Sequence, residues 1–488
     1  GQKNKVSFSK YNVILSPLCG QIIGTSSCYN TISNSYGLIC GSSSGSVGNT
    51  ILANKSRIST CSNTTYTCDN TILGGICQCI LGECISRNSI VGGSSNTITN
   101  NIGGQYSCIN NIIGGSVNII CDSCCANTIL NGTRSCITST NSRNTIIGGG
   151  CCAVIFGSNN NTIINSTNGC ICASSNNSAI ISGCDNFIPA SNCSSIISGC
   201  LNTIYVGNFD MVGGICNVIN ESDFSTILGG ELNKIDSTQK GYIGGGKSNC
   251  ICCSLVGGNQ SVAVYIGGGE CNFSDNNSSA FIGGGFLNKI TKGHQRVAIL
   301  GGNTNLICTN SGYNAVIGGG NLNKICGYSL YGFIGGGQSN LVSYSNGGKC
   351  FNFIGGGLSN KLDARGIASI AGGCGNCICS ENDFNGIVGG VANKICCSGF
   401  SPIYTNIIGG ANNTTSSIYT IILGGSENNI CGCYNFIGGG TNNTSGKSDV
   451  ETYNTTIGGQ RNVIEATCYS FIGGGCQNGI SYGARNTI

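Results

Sequence analysis

The chain carries little charge. Asp, Glu, Lys and Arg make up 8% of its 488 residues, and the formal net charge is +4. A surface this poor in charge gives no strong electrostatic attraction for nucleic acid or for an anionic membrane. No run of about 18 apolar residues occurs, so the sequence predicts no membrane span. Good helix formers are scarce and 82 residues are glycine, which argues against a helical fold.

Residues that support catalysis or metal binding are also few. The single histidine, His294, lies in the segment TKGHQR, which we expect to be a surface loop. Asp and Glu total 18 and hold no fixed place in any pattern, which excludes a calcium ligand in every repeat. Two C-x-x-C pairs, Cys121/Cys124 and Cys374/Cys377, are far apart, whereas zinc sites combine two such pairs or add histidines. We predict no enzyme, no cofactor and no metal site.

One motif, I-x-G-G-x-x-N-x-I, recurs along most of the chain. Clear copies are TILGGELNKI, VIGGGNLNKI and FIGGGCQNGI. We count about 26 copies from Gln78 to Asn478, about 16 residues apart, and include copies in which Ser107 or Ser261 takes the place of Asn. The glycines lack the G-K-[ST] ending of a phosphate loop. A motif of constant length with variable segments between copies is typical of a repeat architecture.

The repeat predicts an all-β fold, a β-solenoid of about 26 short coils. A period of about 16 residues is too short for a helical hairpin, and the Ile, Val, Thr, Tyr and Phe beside the glycines favour strands. We expect two strands and two turns per coil, with inward Ile columns, glycines at the corners, and asparagines that tolerate left-handed backbone and stack in an amide ladder. The asparagines assigned to this structural ladder are Asn233, Asn249, Asn288, Asn305, Asn323 and Asn340.

The motif changes along the chain, and three segments follow. Residues 1–69 hold degenerate coils, a docking region or a cap. Residues 70–240 form a solenoid with a polar outer face, and residues 241–488 a GGG-rich solenoid with aromatic residues before the first Ile. Neighbours on a strand face opposite sides, so these aromatics point outward, either against a neighbouring chain or as an exposed stripe. The lateral-interface candidates are Phe281, Phe333, Phe353, Phe436 and Phe471.

Cysteine is abundant, with 37 residues at two recurring positions, directly after the last Ile or between the glycines and Asn. Equivalent positions in adjacent coils lie one strand spacing apart, within the Cα distance that a disulfide spans. The candidate pairs are Cys184–Cys200, Cys308–Cys326 and Cys379–Cys396. Many disulfides would indicate an oxidising, extracellular setting. The alternative is that cysteine serves as a small apolar filler.

The I-x-G-G-x-x-N-x-I arrays of residues 70–488 resemble the head repeats of trimeric autotransporter adhesins. They are also similar to Gly/Asn/Ile tandem-repeat proteins of cell or virion surfaces and fibres. The resemblance is one of repeat style, and it implies a rod of three parallel solenoids at a surface. The chain starts without Met and its last residues, GARNTI, begin another copy, so we expect a processed or partial chain.

We therefore expect a structural building block of an extracellular fibre or surface appendage. It would self-associate through its faces and ends as a homotrimer or polymer, with no nucleic-acid partner and no membrane span. The alternative is an adhesin of a cell or virion surface that binds a host receptor or glycan through its variable loops. A less favoured alternative is a solenoid that binds ice or mineral, which needs a regular Thr array.

Overall fold

The structure is a computed structural model that divides into two compact units, Gly1–Asp236 and Ser237–Ile488. Within residues 4–488 it describes all except 8, 16–17, 25–26, 34, 42–45, 61–66, 83–84, 101–106, 122–125, 139–142, 149, 158, 173, 253–262, 276–278, 292–294, 310–312, 328–329, 345–350, 382–383, 397–401, 447–451 and 466. The predicted all-β solenoid is confirmed: the described residues contain short parallel strands and no helix. No helix that could span a membrane occurs in this part of the chain.

Each coil contributes one strand to each of two long parallel sheets. Sheet A contains the strands before the glycines, and sheet B the strands after the asparagine. In the second unit, the strands of sheet A are Gly241–Ile243, Val264–Ile266, Ala280–Ile282, Val297–Ile299, Val316–Ile317, Tyr331–Ile334, Phe351–Ile354, Ile367–Ile370, Asn385–Ile387, Asn406–Ile407, Ile421–Ile422, Phe436–Ile437, Thr455–Thr456 and Phe471–Ile472. The strands of sheet B are Cys250–Cys252, Phe273–Asp275, Lys289–Thr291, Leu306–Thr309, Lys324–Gly327, Leu341–Tyr344, Lys361–Ala364, Cys377–Ser380, Lys394–Cys396, Thr414–Thr415, Asn429–Ile430, Thr444–Ser445, Val463–Ile464 and Gly479–Ile480.

The first unit follows the same plan and adds further short strands. Its sheet A runs from Val13–Ile14 to Thr226–Ile227, and its sheet B from Lys5–Val6 to Lys234–Asp236. A third sheet contains six strands, Ser9–Lys10, Ser27–Cys28, Ser46–Val47, Thr67–Cys68, Ile85–Ser86 and Ser107–Cys108. Another contains Ala190–Asn192, Val206–Asn208 and Ser222–Asp223. The two strands per coil that we expected are therefore too few for these parts.

The third sheet also explains why the repeat count was too high. Ser107 pairs with Ile85 in that sheet, and the coil continues to its own sheet B strand after Asn118. The segment around Ser107 only imitates the motif, and Ser261 lies outside the described residues. Sheet B contains 24 strands from Cys79–Gly82 to Gly479–Ile480, one for each coil, against the 26 copies of the motif counted over the same part of the chain.

The core consists of stacked isoleucine columns. The strands pair in register, so Ile282 lies opposite Ile299 in sheet A and Ile290 opposite Ile307 in sheet B. All four side chains are fully buried. The columns extend into residues 1–69, where Ile22 is also fully buried. Burial of each Ile stabilises the fold by about 1.5–3 kcal/mol, repeated in every coil.

Candidate functional site

The asparagine of the motif is buried and links each coil to the next. The backbone N–H of Asn288 donates to Oδ1 of Asn272, at 3.0 Å. Its own Nδ2 donates to the carbonyl oxygens of Gly284 and Gly302, both at 2.9 Å. The same pattern of buried side chains and hydrogen bonds involves the predicted ladder residues Asn233, Asn249, Asn288, Asn305, Asn323 and Asn340. The ladder satisfies buried amides and holds register at the corner.

The left-handed backbone lies one residue earlier than we expected. Leu287, Leu322 and Ser339, each directly before a ladder asparagine, have φ of 53°, 57° and 56°. Their asparagines directly precede the strands of sheet B. The glycine at the same corner is required for a different reason: Gly285 has φ of 96°, and a Cβ there would collide with the carbonyl oxygen of Gly302 in the next coil.

A second amide ladder runs along the start of sheet A in the first unit. Asn144 donates its N–H to Oδ1 of Asn127 at 2.9 Å, and Asn161 donates to Asn144 at 2.8 Å. We did not predict this ladder, although the recurring N-T-I in front of the sheet A strands was its signal in the sequence. Ser194, Asp210 and Ser225 continue the same position in later coils.

Asp210 is the one acidic member of that position among the described residues. Its side chain is 2% exposed, Oδ1 accepts the N–H of Ser225 at 2.8 Å, and Oδ2 has no hydrogen-bond partner. Burial raises the pKa of Asp210 to about 8, the Ser225 N–H lowers it and nearby Asp223 raises it. The carboxyl group is therefore largely protonated at neutral pH, which is the expected response of an unpaired buried acid.

One of the three proposed cysteine pairs is a disulfide. Cys308 and Cys326 lie opposite each other in sheet B and are bonded, with their Cα atoms 4.7 Å apart. Cys379 and Cys396 are also opposite each other in sheet B, and both are thiols in the structure.

Cys184 and Cys200 form a bridge pair one coil apart. A hydrogen bond between the side chains of Cys184 and Cys200 raises the pKa of Cys184 to about 11. The strand register therefore places the two cysteines of each proposed pair opposite each other. Of the three pairs, Cys308–Cys326 alone forms a disulfide in the structure.

The predicted aromatic residues lie on the outward face of sheet A. Phe281, Phe333 and Phe353 are 38%, 37% and 43% exposed, and Phe436 and Phe471 are half-buried. Phe333 stacks on Phe353 with ring centroids 5.2 Å apart. Tyr265 stacks on Phe281 at 5.1 Å. Their ring faces contact one another, so the ring edges remain for a partner.

A longer aromatic array, the tyrosine column, was not predicted. Its rings stack one coil apart with centroid separations of 4.6 to 5.2 Å. Tyr404, Tyr419 and Tyr434 adopt φ of 52°, 55° and 58°, a strained conformation for a bulky residue. Stacking contributes about 0.5–1.5 kcal/mol per pair and offsets part of that cost. The tyrosine column consists of Phe384, Tyr404, Tyr419, Tyr434, Tyr453 and Tyr469.

The described residues hold no group of three or more His, Cys, Asp or Glu side chains that could bind a metal ion. Cys124 and His294 lie outside the described residues. Much of the variable sequence between coils, on which the adhesin alternative depends, lies outside them as well.

No protein-family model matches the chain, and no curated protein is similar to it in sequence. The molecule is thus defined by its fold: a β-solenoid whose regular outward columns are the candidate functional surfaces.

Proposed function

We propose that this chain is a structural, self-associating β-solenoid, a building block of an extracellular fibre or surface appendage. The observation that carries the proposal is the aromatic column, the outward residues of sheet A in the second unit. None of them is charged, and the first seven, from Tyr242 to Phe353, are all apolar or aromatic. Monomeric proteins rarely expose a large contiguous apolar patch. The column consists of Tyr242, Tyr265, Phe281, Ala298, Val316, Phe333, Phe353, Ser369, Gly386, Asn406, Ile421, Phe436, Thr455 and Phe471.

The partner that best fits this column is another copy of the chain. A second solenoid presents the same residues at the same spacing of about 4.8 Å, so ring edges can meet coil by coil. A parallel trimer would bury all three columns together, with each subunit using an identical surface. An extracellular setting is supported by the Cys308–Cys326 disulfide, since such bonds persist in oxidising compartments.

The test replaces Phe333 and Phe353 by aspartate. Both side chains point away from the core, so the isoleucine columns remain and only association is lost. Size-exclusion chromatography with light scattering and negative-stain microscopy should show trimers or filaments for the parent and monomers for the variant. Tyr404→Asp with Tyr419→Asp removes two stacked rings from the tyrosine column and serves as the matched control. If the Phe variant assembles as the parent does, the aromatic column is not the interface.

A second candidate, ice or mineral binding, gains one specific observation. Ice binding needs a regular threonine array, and the outward face of sheet A in the first unit aligns Thr128, Thr145 and Thr162 in register. Leu130 and Ile147 flank them in the same strands. Ice-recrystallisation assays on the parent and on Thr145→Asp decide this candidate: an inactive parent eliminates ice binding.

A further inference from the structure

Sheet B of the second unit carries a periodic row of lysines that the aromatic column does not explain. Lys289 lies opposite Leu306, which lies opposite Lys324. The alternation continues through the next coils, so that a lysine occurs at every second coil with one uncharged side chain between. This lysine row consists of Lys289, Leu306, Lys324, Leu341, Lys361, Cys377 and Lys394.

The row has the exposure that a ligand needs. All four lysines are exposed, whereas Leu306, Leu341 and Cys377 between them are half-buried. The lysines therefore stand above a nearly flat, apolar floor. Lys361 and Lys394 both lie close enough to Cys377 to lower the pKa of its thiol, although burial raises that pKa overall. Charge is thus concentrated along the line of the row.

A shallow groove follows the row at its beginning. It has a volume of about 250 Å³ and lies between the lysines and the neighbouring corner residues. Leu287 and Leu322, which are 44% and 49% exposed, line its side together with Thr304. The disulfide Cys308–Cys326 joins two of the three coils that line it and holds their spacing. The groove therefore offers apolar side chains and one hydroxyl, that of Thr304, beside Lys289 and Lys324.

Few anions lie near the row. Asp363 is 3.9 Å from Lys361, and no other ion pair involves a lysine of the row among the described residues. Lys289 lies over the ring of Phe273, with Nζ 4.9 Å from the centroid. The side chains of Lys324 and Lys394 are available to a ligand. The row therefore has an excess of positive charge, although the chain as a whole carries little charge.

The spacing of the lysines along the row favours linear anions whose charges have a similar spacing. Coils stack at about 4.8 Å, so successive lysines are about 9.6 Å apart. An extended acidic polysaccharide with one carboxylate per disaccharide has a repeat of comparable length, and its sugar faces would lie on the leucines. A nucleic-acid strand carries a charge about every 3.4 Å and would leave most phosphates unpaired. Its bases would also lack the aromatic platforms that bind single strands.

We propose that the lysine row binds a linear acidic polysaccharide laid along the solenoid, with one carboxylate per disaccharide facing each lysine. A plain structural reading is that lysines alternate only to limit repulsion, since about 9.6 Å is near the Debye length. That reading predicts no preference for charge spacing. This proposal goes beyond self-association and does not depend on it.

The test uses hyaluronan oligosaccharides of defined length, with binding measured by isothermal titration calorimetry. Affinity should rise with length until all four lysines are engaged, and it should fall as salt screens the exposed charges. Replacing Lys289, Lys324, Lys361 and Lys394 together by glutamine should weaken binding at least tenfold. Circular dichroism checks that this variant remains folded.

The matched control exchanges Lys324→Leu with Leu341→Lys. Composition and net charge are unchanged, but the two-coil period is broken, so affinity should fall several-fold. Equal affinity of this variant and the parent would overturn the proposal. So would tighter binding of polygalacturonate, single-stranded DNA or phosphatidylserine vesicles than of hyaluronan, because charge alone would then suffice. Repeating the titration on the variant Phe333→Asp with Phe353→Asp shows whether polysaccharide binding depends on self-association.

Discussion

Replacing Asp210 with asparagine isolates the cost of one buried acid in the first unit. The neighbouring coils place the neutral Ser194 and Ser225 at the same position. Asn keeps an oxygen to accept the Ser225 N–H and cannot ionise. The substitution therefore removes a titrating group while it preserves the hydrogen bond that Oδ1 makes at 2.8 Å.

The magnitude follows from the pKa of Asp210. Folding raises that pKa from 3.8 to about 8. The folded state binds more protons between these values, so the group lowers stability as pH rises from about 4 to about 8, and no further above that. At about 1.4 kcal/mol per pKa unit the full effect is on the order of 6 kcal/mol, an upper limit because water and local movement would reduce it. Asp210→Asn should thus stabilise the first unit at pH 8.5 and have little effect near pH 4.

Urea unfolding followed by far-UV circular dichroism, at several pH values from 4 to 8.5, measures the difference between Asp210→Asn and the parent. Thiols that ionise near pH 8.5 affect the stability of both proteins equally, so their contribution cancels in the difference. Asp185→Asn is the control, because it removes an exposed carboxylate from the same unit. A difference that does not change with pH would mean that Asp210 is ionised in the folded protein, and the reasoning would be refuted.

Two further predictions concern the links between coils. Asn305→Ala should destabilise the second unit by roughly 2–4 kcal/mol in urea unfolding. It removes the hydrogen bonds that Nδ2 donates to two glycine carbonyl oxygens, and it leaves the N–H of Asn323 without its acceptor. The control Asn303→Ala, at an exposed position, should change stability by less than about 0.5 kcal/mol. An equal effect of both would refute a structural role for the ladder. Cys308→Ser with Cys326→Ser should cost about 3 kcal/mol, since the disulfide closes an 18-residue separation, and dithiothreitol should destabilise only the parent.

Features that repeat within one coil could be predicted from the sequence. Ile282, Asn288 and Ile290 recur at constant spacing, so each coil places them in the same local environment and the strands pair in register. The inward isoleucines and the amide ladder follow from that spacing. Ser107 shows the limit, because its segment matches the motif while its strand belongs to a third sheet.

Features that join distant coils depended on the tertiary structure. Tyr404 and Tyr419 each lie two residues before a sheet A strand, but the stacking of their rings depends on how the coils close in three dimensions. Lys324 and Lys361 are aligned across an intervening coil. The pKa of Asp210 depends on burial, which the sequence does not show. The sequence by itself determined the period and the side chains that face inward, because these depend on neighbours along the chain. Only the structure decided which side chains of the segments between motifs share a column or are buried, because these segments vary in length and their closure is set by the stacking of whole coils.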